Sequence, residues 1–222
     1  FDIRKTLLKF DNVLNDQRQV IFTQRNNILN NDENNYVDDF LEEILINLIP
    51  SKNKFKSDPK GSNFLNSFKH IFGKSFDEDE LNNIINMSDD DFKSSIKSKF
   101  NTKKLERMKY LGEKQNFELE KRIFLQIIDQ NWKGHIQYLE QLRQVIGLRS
   151  YGNRDPLIEY KKEAFSLFEN LLNKLKNDLI TILLNLSVQR VEKKNNNESL
   201  RKKIDPRLVG KKIGRNELCF CG

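Results

Sequence analysis

Apolar residues recur at steps of three and four over two long stretches separated by one short polar loop. Before the loop they fall at Phe117, Phe124, Ile128, Trp132, the amphipathic His135, Leu139, Leu142 and Ile146. After it they fall at Leu157, Tyr160, Ala164, Phe168, Leu171, Leu175, Leu179, Ile182 and Leu186. That spacing places one apolar stripe on each of two α-helices. No proline interrupts either run. Each helix of about 30 residues is on the order of 45 Å long at 1.5 Å rise per residue. A short loop folds two such helices back antiparallel. The loop, GLRSYGNRDP at 147–156, carries its own boundary signals. Gly147 is read as a C-terminal cap with Leu148 as the apolar residue after it. Asp155 is read as an N-cap with Pro156 at the first helical position. The tip between them is Leu148-Arg149-Ser150-Tyr151-Gly152-Asn153-Arg154. Gly134, inside the first helix, is read as a point of close helix approach or slight bending.

The same reasoning orders the rest of the chain. Ile3, Leu7, Phe10, Leu14, Gln17 and Ile21 form one helical face, widened by Leu8, Val13 and Ile28. Two readings stand for this helix: a solvated rod, or a support packed on domains outside this chain. The asparagine-rich stretch 26–35 weakens or breaks it. Tyr36, Phe40, Ile44 and Leu48 resume the period as far as Pro50, and SKNKFKSDPKGS at 51–62 is a loop by composition. Short helices follow. Ser75 and Glu78 are read as a capping box ahead of Leu81, Ile84 and Ile85. Ser88 with Asp89, Asp90 and Asp91 starts another helix ahead of Phe92 and Ile96. Those acids lack the spacing and the glycine of a calcium loop. The predicted class is all-α: long helices, a small inserted helical subdomain, an antiparallel two-helix hairpin and a disordered C-terminal tail. Four segments are expected, at 1–49, 50–112, 113–188 and 189–222.

Composition supports extended helical surface. Charged residues make up 32% of the 222, with nine glycines and four prolines, and mean hydropathy is −0.71. The net charge of +7 is concentrated: ten Lys/Arg against four acids between 189 and 222 account for six of those charges. A near-neutral body with a basic tail favours an acidic partner, whether lipid, nucleic acid or protein. No apolar run of about 18 residues is present, and no secretory signal is visible. The chain opens on Phe1 inside a helical pattern and closes on Cys219-Phe220-Cys221-Gly222 in mid-motif, and is read as a fragment. Its two cysteines, one residue apart, suit a metal ligand pair better than a disulfide framework, although two thiolates supply only half of a tetrahedral zinc site.

Catalytic signatures are missing from the residues. There is no phosphate-binding glycine loop, no dinucleotide fingerprint and no nucleophile elbow. His70 and His135 are isolated in sequence, and His135, near Trp132 and Tyr138, is read as a hydrogen-bonded core histidine. Tyr151 between two arginines is suited to gripping a chain without sequence preference; equally, it can tuck against the hairpin itself or a neighbouring domain.

Three stretches together resemble the SecA family, the preprotein translocase ATPases of bacteria. FDIRKTLLKFDNVLNDQR at Phe1–Arg18 looks like its scaffold helix, and the segment from Ile127 to Phe168 looks like its two-helix finger. GRNELCFCG at Gly214–Gly222 looks like the start of its zinc motif. The resemblance implies a parent that couples ATP hydrolysis, with Mg2+, in domains outside this chain to pushing unfolded preproteins through the SecYEG channel. It implies that Tyr151, flanked by Leu148, Arg149 and Arg154, contacts the translocating polypeptide. Cys219 and Cys221 match two zinc ligands, and Trp132, Lys133 and His135 match the family's WKxH pattern. It further implies a tail that meets the chaperone SecB and acidic phospholipid, a homodimer as one state, no nucleic acid, and a place in the cytoplasm and on the cytoplasmic face of the inner membrane. No catalytic residue is assigned to this chain. The residues alone also allow a helical adaptor, or a nucleic-acid-binding module that uses the basic tail.

Overall fold

The computed structural model describes residues 2–30, 35–58, 63–73, 75–148 and 155–187. These form seven helices: α1 Asp2–Asn30, α2 Asn35–Ser57, α3 Phe64–Phe72, α4 Glu78–Asn86, α5 Asp89–Leu111, α6 Glu113–Ile146 and α7 Pro156–Asn185. No strand occurs among the described residues, so the all-α class holds. The basic tail, with Cys219 and Cys221, lies outside them.

Helices α6 and α7 form the expected antiparallel pair, and α1 lies along both. Its direction follows from its partners on α6. Asp11 meets Arg143 at 2.9 Å, Gln17 meets His135 at 2.8 Å, Arg25 pairs with Asp129, and the Leu29 carbonyl accepts from Lys121 at 2.9 Å. One number rises as the other falls, so α1 is antiparallel to α6 and parallel to α7. From Phe10 to Ile28 the predicted face of α1 is covered within this chain: Phe10, Gln17, Ile21 and Ile28 are buried. Leu8 does not widen it and is 61% exposed.

Helices α2 to α5 build the second part of the core around aromatic rings. Phe64, Phe68, Phe72, Phe92 and Phe100 are fully buried and Phe76 nearly so. Burying each such ring contributes about 1.5–3 kcal/mol. Beside them Lys52 is fully buried on α2. Its ammonium pairs with Asp89 at 2.7 Å, donates to the Met87 carbonyl at 3.1 Å and stands 4.9 Å over the Phe92 ring. One cation thus ties α2 to the α4–α5 junction. The hydrogen bond from Lys52 holds the Asp89 carboxyl below its ordinary range.

Several local expectations are corrected. Helix α2 does not stop at Pro50 but runs to Ser57. Proline removes one N–H and crowds the carbonyl four residues back. Here Pro50 and Ile46 are both exposed, so the gap faces outward while Lys52 anchors the continuation. The N-cap of α4 is Asp77, not Ser75: the Asp77 amide donates to Glu80 Oε2 at 3.0 Å, and the Ser75 hydroxyl donates to Asn185 Oδ1 at 3.2 Å. Ser88 does cap α5, accepting from the Asp91 amide at 3.2 Å. Gly147 is right-handed (φ −58°, ψ −28°), not a left-handed cap. The glycine that geometry does require is Gly112, at φ +81° between α5 and α6, where a side chain would be strained. Gly134 brings no helix close: a Cβ there would meet nothing within 4 Å. Ile182 turns outward at 40% exposure, while Ile180, Leu183 and Leu184 are buried. The buried face of α7 rotates there towards α3 and α5.

Candidate functional site

The arm formed by α6 and α7 carries the predicted site residues at its end. Leu148 is the last described residue after α6 and is 67% exposed. The return begins at Asp155, whose carboxylate accepts from the Leu157 amide at 2.8 Å, with Pro156 opening α7. Arg149, Tyr151 and Arg154 fall between these two anchors and lie outside the described residues, as do Cys219 and Cys221. The return end of the tip is therefore defined by short-range chemistry that the loop sequence itself displays, at Asp155 and Pro156.

Packing divides the arm along its length. Near the tip a small cluster unites Phe10 of α1, Leu139, Leu142 and Ile146 of α6, and Tyr160 and Ala164 of α7. Phe10 meets Tyr160 edge-on at 4.9 Å. Towards the base the main core takes over, with Ile21 and Ile28 of α1, Phe124, Ile127 and Ile128 of α6, and Phe168 to Leu184 of α7 joined to α2–α5. Between the two clusters runs a buried polar relay. His135 Nε2 lies 2.8 Å from Gln17 Oε1, and Gln17 Nε2 donates to the Ala164 carbonyl at 3.0 Å. This orientation makes Nε2 the donor of the imidazole. One chain of two hydrogen bonds thus fastens α6 to α1 and α1 to α7 at a single level. Trp132 stacks on His135 at 5.5 Å and Phe168 flanks it at 5.9 Å, so His135 is the core histidine the sequence suggests. Tyr138, by contrast, is half exposed.

Burial lowers the His135 pKa below its ordinary 6.5, because the charged ring loses its water. The folded state therefore binds this proton less readily than the unfolded chain. Its contribution to stability is complete above the unfolded pKa and is lost as pH falls below about 6.5 towards the depressed value. Glu80 and Asp89 are also depressed, chiefly by hydrogen bonds from Lys99 and Lys52, and their contributions are lost only in the more acidic carboxylate range. Melting temperature followed from pH 8 to 5 should fall mainly below 6.5, and His135→Gln should flatten that limb. An unchanged limb would remove His135 as its source.

A second polar group at the base was not anticipated. Arg107 of α5 and Glu120 of α6 are buried and paired at 3.0 Å. Arg107 also donates to Asn116 Oδ1 at 3.3 Å and to the Leu183 carbonyl of α7, while Asn116 donates to Glu120 at 3.0 Å. Burial, with the Glu120 charge nearby, pushes the Tyr36 phenol well above its usual range. The predicted stripe residue Phe117 is only half-buried under Lys121, 5.0 Å from its ring; Asn116 and Glu120 hold the inward positions beside it. The available sequence signal was their spacing of four, on the same face as Phe124. Gln17 carried a similar signal, a polar residue in register with Phe10 and Ile21.

No group of three or more His, Cys, Asp or Glu among the described residues could hold a metal ion. No described helix is long and apolar enough to cross a membrane.

Comparison with known proteins bears on the arm directly. The family model for the SecA wing and scaffold domain matches residues 1–187. The protein translocase subunit SecA of Pelagibacter ubique (strain HTCC1062) is 54% identical over 227 residues, covering 99% of this chain and 27% of that relative. The same subunit from Syntrophomonas wolfei is 35% identical, covering the whole chain and 28% of the relative. That of Orientia tsutsugamushi (strain Ikeda) is 34% identical, with 27% of the relative covered. The chain thus spans about a quarter of the length of the curated relatives it matches.

Proposed function

The chain belongs to the SecA family through its wing and scaffold domain, and from that premise we propose that it is the lever of an ATP-driven protein-translocation motor. ATP and Mg2+ are handled by domains outside this chain, and the arm carries their motion to an unfolded preprotein at the SecYEG channel. The observation that carries this reading is the relay at Gln17, His135 and Ala164. A rod that transmits displacement must not shear, and three helices locked at one level between two packed clusters resist sliding past one another. The tip residues Leu148, Arg149, Tyr151 and Arg154 then meet the polypeptide, the tyrosine ring offering contact that tolerates varied side chains. Residues 50–112, from the end of α2 to the end of α5, form the wing.

The tail extends the same proposal. Cys219 and Cys221 supply two thiolates of a tetrahedral zinc site completed by ligands outside this chain. The basic residues before them suit SecB and acidic phospholipid at the cytoplasmic face of the inner membrane.

Crosslinking tests the tip. Tyr151→Cys in the full-length parent should crosslink to a stalled preprotein, and Tyr151→Ala should slow transport by about five- to tenfold, the scale of one lost ring contact. Absence of the crosslink together with normal transport by Tyr151→Ala would remove the tip from the mechanism.

A further inference from the structure

Away from the arm tip, α2, α3 and α7 enclose an open groove. It consists of two adjoining cavities of about 420 Å³ each that share Ser67, Ile71 and Asn177. Its floor is apolar, from Ile44, Leu48 and Ile71. Its walls carry neutral amides: Asn47 from α2, Asn66 from α3, and Asn173 and Asn177 from α7. None of these four amides has a hydrogen-bond partner among the described residues. Charge at the rim is cancelled within the chain, since Glu43 and Lys176 pair at 2.5 Å.

Exposed asparagines are ordinary in a chain this rich in them. Their convergence from three helices over an apolar floor is not ordinary, and their spacing defines a ligand. Asn173 and Asn177 are four residues apart, so they repeat about every 6 Å along α7. An extended polypeptide presents backbone groups to the same side about every 6.6 Å. Each asparagine amide offers a donor and an acceptor together, the complement of one peptide N–H and one C=O. A neutral groove with such walls selects backbone over side-chain charge. We propose that this groove binds extended polypeptide backbone, as a second contact for an unfolded chain distinct from the arm tip. The choice of ligand rests on the reading of the parent as a polypeptide-translocating machine; the groove itself rests on the geometry.

The test uses the full-length parent with a photocrosslinking amino acid at Asn66, and a biotinylated, uncharged, unstructured peptide of about twelve residues, long enough to span both cavities at about 3.3 Å per residue. Crosslinking from Asn66 should exceed that from Tyr110, an exposed control position on α5. Combining Asn173→Ala with Asn177→Ala should lower the yield about tenfold, the scale of two lost hydrogen bonds, with helical circular dichroism unchanged. A peptide with N-methylated backbone amides should lose crosslinking similarly. Equal yields from Asn66 and Tyr110 overturn the proposal, as does an N-methylated peptide that crosslinks as well as its parent. A product joining Asn66 to another part of the same protein makes the groove an internal docking surface and also overturns it. The Tyr151 crosslink is read separately: groove failure with an intact tip crosslink refutes the groove alone, and the converse refutes the tip alone.

Discussion

Arg107→Ala is expected to lower the free energy of unfolding by about 3–5 kcal/mol, the cost of leaving one member of a buried ion pair without its partner. Arg107 joins three helices by its fork: Asn116 and Glu120 on α6, and the Leu183 carbonyl on α7. Alanine leaves the Glu120 carboxylate buried with only part of its hydrogen bonding, including that from Asn116. Urea unfolding measures the loss. The double variant Arg107→Met, Glu120→Leu should recover at least half of it, because neither charge then remains in the interior. A single-variant loss below about 1 kcal/mol would mean that the pair behaves like one at the surface.

Phe68→Ala should cost about 3–5 kcal/mol, the range for truncating a fully buried aromatic ring. Phe68 lies within 5.0–6.5 Å of four other rings, those of Phe64, Phe72, Phe76 and Phe92. Two of these share its helix, so the short α3 depends on the cluster more than on its own hydrogen bonds. Phe68→Leu, which keeps most of the volume, should cost less than half as much. Thermal denaturation gives the magnitude and amide exchange gives the location. Protection should fall first in α3 and α4, while α6 near Leu139–Ile146 stays protected by its own cluster. Uniform loss across both regions would show that the two clusters unfold as one.

What the sequence made legible depended on whether the signal was periodic. The arm was readable because Phe124, Leu139, Tyr160 and Leu175 repeat on one face over many turns, and local caps at Ser88 and Asp155–Pro156 mark where helices start. Errors arose where two local signals overlapped or where distant chain decided the outcome. In SFDEDE at 75–80 two frames of the capping pattern are offset by two residues; burial of Phe76 accompanies the second. Pro50 breaks a helix by local rules, and α2 continues because Lys52 reaches Met87 and Asp89, more than thirty residues away. Arg107, Asn116 and Glu120 are polar by type, and they are buried together only because α5 and α6 fold back at Gly112. Of the candidate site, the anchors Leu148 and Asp155 stand at the ends of α6 and α7, while the roles of Tyr151 and the cysteine pair come from resemblance.

The position of α1 has a consequence for the order in which this protein matures. Gln17 bonds to a carbonyl 147 residues further along the chain, and Phe10 packs on Tyr160. At roughly 5–20 residues per second on the ribosome, about 7–30 s separate synthesis of the first helix from that of its partner. Until α6 emerges the face bearing Phe10, Gln17, Ile21 and Ile28 has no native surface to cover it, and the cover is complete only with α7. The nascent chain therefore exposes an amphipathic helix to chaperones, and correct docking of α1 waits for the last helix of the bundle to emerge.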